Sequence, residues 1–140
     1  RKVKNVINYV DYFHALDSVK LAAEIQKRAE HPIKCFLQIN ISEEESKHGF
    51  KVSEIDEALE QISDFDKVEI VGLMTMAPKN ASDSEIDDIF GKADQLRQDL
   101  QERHLPHMPF TELSMGMSGD FPIAIRNGAT FVRIGSSFFK

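Results

Sequence analysis

Hydrophobic and polar residues along this chain alternate between a spacing of two and a spacing near 3.6, the periods of strand and helix. Val3, Val6, Ile7 and Val10 open it at helical spacing. Val10 to Leu16 then reads as a short, half-buried strand, and Asp17 and Ser18 offer caps to a helix with Val19, Ala22, Ala23 and Ile25 on its inner face. His31-Pro32 ends that helix, because the residue before proline is pushed out of helical geometry. Ile33 to Ile41 is an apolar strand, followed by a polar loop, Ser42 to Phe50, that contains Gly49. A helix starts near Ser53, with Ile55, Ala58, Leu59 and Ile62 on one face. Val68 to Met76 is a further buried strand, and Pro78 and Asn80 break the chain after it. Ser82 to Arg103 is the longest predicted helix, with Ile86, Ile89, Phe90, Ala93, Leu96 and Leu100 facing inward. Phe110 to Met115 is a strand, Phe121 to Asn127 a short helix closed by Gly128, and Thr130 to Phe139 the last strand and its exit.

Strands that alternate with helices define an α/β protein with a parallel sheet, and near-continuous apolar strands mean burial on both faces. Two architectures satisfy this, a doubly wound open sheet and a (β/α)8 barrel. A complete barrel takes about 250 residues, so the five predicted strands would supply only part of one. The chain begins with Arg1 rather than Met, inside an amphipathic pattern, which agrees with a partial barrel.

The composition narrows the function. With 140 residues, 41% hydrophobic and 29% charged, the chain is expected to form one globular domain. A formal charge of −6 argues against nucleic acid as a partner, since phosphate backbones select basic surfaces. Cys35 is the sole cysteine, which excludes an internal disulfide and a cysteine metal cage and fits a cytoplasmic location. No apolar run approaches the roughly 20 residues of a membrane span.

In parallel α/β folds ligands bind at the C-terminal ends of the strands, so those turns carry the candidate chemistry. Gly135 and Ser136 follow Arg133 at the end of the last strand, and can turn backbone N–H groups and hydroxyls onto a phosphate. The preceding strand end, Ser114 to Asp120, has the same character, with Ser118 placed to cap the next helix. Each turn alone also reads as an ordinary strand-to-helix connection; two on neighbouring strands make a coherent anion cradle. Arg133 is polar in an apolar strand and needs a partner, either an anion or Glu112 or Asp120. Asn40 and Met74, near two other strand ends, could line a ring-binding pocket, although core packing is the simpler reading of a methionine. No nucleophile, base and orienting group fall into a recognisable set, and the histidines lack metal-ligand spacing.

Several stretches resemble the pyridoxal phosphate homeostasis proteins: Gln38 to Ser42 followed by Glu45 to Gly49, Gly72-Leu73-Met74, Leu113 to Ser118 with Asp120, Ala124-Ile125, Gly128 to Thr130, and Val132 to Ser136. The similarity runs along essentially the whole chain, and the Leu113 to Ser118 turn followed by Val132 to Gly135 is its most specific part. The resemblance implies a barrel akin to the N-terminal domain of bacterial alanine racemases. It also implies a bound pyridoxal 5'-phosphate and a role in vitamin B6 and amino-acid balance without an established reaction. Ser118, Gly135 and Ser136 match phosphate contacts, and Arg133 matches the arginine that faces the pyridine nitrogen.

On the family pattern residues 1–140 would be the C-terminal five β/α units, without the first three and without the Schiff-base lysine on the first strand. No lysine here is expected to close a strand: Lys34 begins one, and Lys79 and Lys140 lie outside the mouth pattern. Covalent attachment of the cofactor is therefore not expected in this chain. The alternative reading is the barrel domain of a pyridoxal-phosphate-dependent racemase or decarboxylase, which would need a second domain. A partial barrel also implies self-association. The inward faces, with Phe36, Ile70, Leu113 and Val132 or their alternate neighbours, would lack packing layers, and the sheet edges would be unpaired.

Overall fold

A computed structural model describes residues 12–42, 49–117, 119–134 and 137–139. The expected opening helix at Val3 to Val10 and the Glu43 to His48 loop fall outside these residues. The elements run in order β1 (Tyr12–Leu16), α1 (Val19–Arg28), β2 (Ile33–Asn40), β3 (Phe50–Lys51), a 3-10 turn (Val52–Glu54) and α2 (Ile55–Ile62). They continue with β4 (Val68–Met74), α3 (Asp83–Gln101), β5 (Glu112–Ser114), α4 (Phe121–Arg126), β6 (Val132–Ile134) and β7 (Ser137–Phe139).

The helix starts follow their caps. Ser18 accepts the Leu21 N–H at 3.1 Å ahead of α1. Ser82 and Glu85 form a reciprocal capping box ahead of α3, which satisfies two of the N–H groups every helix start leaves open. Gly128, at φ 96°, closes α4 in the left-handed conformation that the sequence predicts.

β1, β2, β4 and β5 pair in parallel and in chain order. A parallel bridge from Ser114 to Phe131 brings β6 in beside β5. Sequential order without reversal makes a singly wound, half-barrel sheet, not a doubly wound one. The helices cover one face, burying Leu16, Cys35, Leu37, Ile39, Ile70, Leu73, Leu113 and Val132 with Ile25, Leu59, Ile62 and Phe90. The opposite face carries a smaller cluster of Phe36, Val71, Met74 and Phe131, flanked by Tyr12 and Met76.

Several expectations change. β3 is a short strand the sequence does not announce; it pairs in parallel with the end of β2, Ile39 to Phe50 and Asn40 to Lys51. Lys51 therefore does close a strand. The strand predicted from Phe110 shrinks to Glu112–Ser114, because Phe110 is left-handed at φ 51° and cannot continue a ladder. The long last strand is two short ones, β6 and β7, paired antiparallel. Of the positions expected to face inward, Phe36 does so itself, whereas Ile70, Leu113 and Val132 pack under the helices and alternate neighbours such as Val71 and Phe131 take the inner face. Phe36, Ile70, Leu113 and Val132 are each at most 2% exposed, so none of them presents bare apolar surface.

Candidate functional site at the strand ends

The registers build the inner face of the half-barrel row by row. Gln38 on β2 pairs with Met74 on β4, Met74 with Ser114 on β5, and Ser114 bridges to Phe131. This row of four crosses four parallel strands on one face, and each member is at most 6% exposed. The Phe131 ring at the end of this row contacts the rings of Tyr12 and Phe36, which also contact each other, with centroids 5.1 to 5.9 Å apart. Asn40 lies two residues beyond Gln38, so it stands above the row on the same side of the strand, nearer the C-terminal ends. Its carboxamide oxygen accepts the Ser42 hydroxyl at 3.2 Å.

The strand ends are held together by Thr75. Its N–H donates to the Ser114 carbonyl at 3.1 Å and its hydroxyl to the Ile39 carbonyl at 2.8 Å, which ties three adjacent strands where the turns begin. β5 and β6 are likewise tied: the Met115 N–H donates to the Phe131 carbonyl at 3.1 Å and the Thr130 N–H to the Leu113 carbonyl at 2.8 Å. The turn after β5 starts at Gly116, φ 101°, where a Cβ would lie 2.6 Å from that of Ala124. Asp120 then accepts the Met117 N–H at 2.6 Å.

Of the residues singled out by sequence, the structure brings Asn40 and Met74 onto one face of the sheet. Arg133 is in β6, two positions after Phe131. Ser118, Gly135 and Ser136 lie outside the described residues. The N-cap of α4 is Asp120 rather than Ser118, and its carboxylate is turned back onto Met117 instead of onto the helix. Thr75 and Gln38 were not singled out for this face. Their signal was present in the sequence, as polar residues inside or just after otherwise apolar strands.

Ionisable groups outside this face are tuned by ordinary causes. Burial pushes the Cys35 thiol up to about 12, with Glu69 adding to the effect; it faces the helices and stays a packing group. Among the described residues no three histidine, cysteine, aspartate or glutamate side chains gather into a metal site. No helix among them is long and apolar enough to cross a membrane.

A singly wound parallel sheet covered by helices, with polar residues at its strand ends, defines an α/β domain of half-barrel type. The comparisons give the family: residues 1–140 match the alanine racemase N-terminal domain family, and the chain belongs to it. The chain is 39% identical over 144 residues to the pyridoxal phosphate homeostasis protein of Aquifex aeolicus, covering 99% of this chain and 61% of that protein. It thus spans about three fifths of the length of that curated relative. Among solved structures, PipY of Synechococcus elongatus without pyridoxal phosphate matches at TM-score 0.86 and 32% identity, over 96% of this chain and 64% of that one. The same protein with pyridoxal phosphate bound matches at 0.78 and 30%, over 96% and 63%.

Proposed function

We propose that this chain forms the phosphate-and-ring half of a pyridoxal 5'-phosphate site, in a cytoplasmic protein of vitamin B6 and amino-acid homeostasis that carries or regulates the cofactor. The observation that supports this best is the placement of Asn40 and Met74 on one buried face, at the strand ends, beside the β5–β6 pair that bears the two Gly/Ser turns. The face also suits the group: aromatic rings give a flat apolar wall, and Asn40 and Gln38 are carboxamides able to meet a heteroaromatic ring's polar substituents. Relatives that bear the homeostasis name, one of them solved with the cofactor bound, point the same way.

In this reading the five parallel strands are the C-terminal five units of a (β/α)8 barrel, completed by strands from the rest of the protein. Ser118, Gly135 and Ser136 hold the phosphate through hydroxyls and backbone N–H groups, Met74 packs on the ring and Asn40 orients it. Arg133 faces the pyridine nitrogen, where a fixed cation disfavours protonation. The bound cofactor supplies an electrophilic carbonyl toward amines, and an unprotonated ring is a weak electron sink, which suits a carrier better than a catalyst. The isolated chain would self-associate through sheet edges that the other strands flank in the whole barrel.

The test is binding by the full-length protein, followed by cofactor absorbance and fluorescence. Ser136→Ala and Arg133→Leu should each weaken uptake of pyridoxal phosphate, and Ser136→Ala should also reduce the advantage of pyridoxal phosphate over unphosphorylated pyridoxal. Uptake that ignores the phosphate, or is unchanged in both variants, would refute the assignment.

A further inference from the structure

Both edges of β6 are in use, and in opposite senses. On one edge β6 is tied to β5 through Phe131, the residue before it: the Phe131 N–H donates to the Leu113 carbonyl at 3.1 Å, and the Phe131 carbonyl accepts the Met115 N–H at 3.1 Å. Successive residues of an extended strand aim their backbone polar groups at opposite edges. Phe131 faces β5, so Val132 and Ile134 face away from it. β7 lies on that outer edge, antiparallel, with Val132 opposite Phe139 and Ile134 opposite Ser137. Only Gly135 and Ser136 separate the paired Ile134 from Ser137, the shortest common connection between antiparallel strands.

This outer edge is the one a barrel needs for closure. β1, β2, β4 and β5 follow one another in parallel, and the bridge from Ser114 to Phe131 adds β6 in the same direction. In a closed (β/α)8 barrel the last strand pairs in parallel with the first. An antiparallel β7 and that first strand would use the same N–H and C=O groups of Val132 and Ile134, so they exclude each other. With neither in place, the edge would be an open template for pairing with another chain.

We propose that Ser137–Phe139 is a displaceable strap. It covers the outer edge of β6 while the barrel is open, and yields that edge to the barrel's first strand on closure. This rests on the reading of the chain as five units of a (β/α)8 barrel with a cofactor site at its mouth, and gives that reading a two-state element. A cofactor that binds the closed form alone draws the equilibrium away from the strap, so loading and closure are linked. The strap also removes one of the two sheet edges through which the open form could self-associate.

The test is NMR on the 140-residue chain and on the full-length protein mixed with pyridoxal phosphate. Arg133 and Phe138 are the pair that exchanges no backbone hydrogen bonds, so their Cα atoms lie closest and their Hα protons give a cross-strand contact. The 140-residue chain should show this contact, with slow amide exchange at Phe139 and fast exchange at Phe138. The full-length protein should show neither feature. Phe139→Pro removes the N–H turned toward Val132, and should raise the apparent mass of the 140-residue chain in light scattering. Absence of the Arg133–Phe138 contact from the 140-residue chain would overturn the strap. So would its persistence in full-length protein carrying the cofactor, since the edge would then not be exchanged. Full-length protein that loses the contact but takes up no pyridoxal phosphate would overturn the proposed function and leave the strap standing.

Discussion

The hydroxyl of Thr75 donates to the carbonyl oxygen of Ile39 at 2.8 Å, a bond between residues 36 positions apart that closes the C-terminal ends of β4 and β2 on each other. Thr75 is 1% exposed, so water does not compete for this bond. Thr75→Val keeps the shape and removes the donor. It should cost about 1–3 kcal/mol, the range for leaving a buried polar group unsatisfied. Thr75→Ser should recover much of it. Urea denaturation of both variants checks the ordering, and Val equal to wild type would show that the bond contributes nothing.

Gly72 faces a different constraint. It pairs with Phe36 on one side and Glu112 on the other, and a Cβ at Gly72 would fall on the carbonyl of Glu112. That obstacle is backbone and cannot swing aside, so β4 and β5 would have to part. Gly72→Ala should destabilise by about 3 kcal/mol or more, at the upper end of overpacking costs. Gly91→Ala is the control: it sits in α3 with only the Asn127 side-chain oxygen within reach, at 3.4 Å, and helix propensity favours alanine. Thermal melts should separate the two variants widely.

These particulars show what the sequence could and could not convey. The alternation of periods and the caps at Ser18 and Ser82 are local signals, and the elements they mark form close to where they are predicted. β3 was not legible because two residues carry no periodicity; only pairing with the end of β2 makes Phe50–Lys51 a strand. The contraction of β5 depends on the left-handed turn at Phe110, which no glycine or asparagine announces. Of the candidate site, Asn40 and Met74 could be named from their place near strand ends. Which residues share a face with them depends on register, and register is a property of paired strands. Gln38 and Ser114 join the site only through it.

Asp87 sits on α3 and accepts from Asn127 at 2.9 Å and Arg126 at 3.3 Å, fastening the end of α4. The hydrogen bond from Asn127, and next that from Arg126, lower its carboxyl below the ordinary 3.8. A lowered folded pKa contributes stability that is present above the unfolded value and is lost as pH falls through the folded one. Asp87→Ala should therefore be less stable than wild type near neutral pH, and the difference should shrink as pH drops below 3.8. Denaturant midpoints at pH 7 and across the acid range check this; a gap that is constant with pH would assign the loss to packing instead of charge.

The 140-residue chain itself should form no specific covalent adduct with pyridoxal phosphate. A lysine that captures the carbonyl must stand at a strand's C-terminal end and be held there beside the phosphate turns. Lys34 is the second residue of β2, at the opposite end of the sheet, with its ammonium 5.5 Å from the Tyr12 ring centroid. Lys67 lies before β4 and reaches the Glu30 carbonyl, again at the wrong end. Lys79 follows Pro78 outside any strand. Lys51 is the serious competitor, because it closes β3 opposite Asn40. It is solvent-exposed, however, and among the described residues no ion pair holds its ammonium over the inner face. Incubation with pyridoxal phosphate, borohydride reduction and peptide mass spectrometry should give scattered, low-level labelling over exposed lysines. Stoichiometric labelling of one lysine would refute the expectation. If that lysine were Lys51, β3 would have to be reassigned from an edge strand to the attachment point of the cofactor.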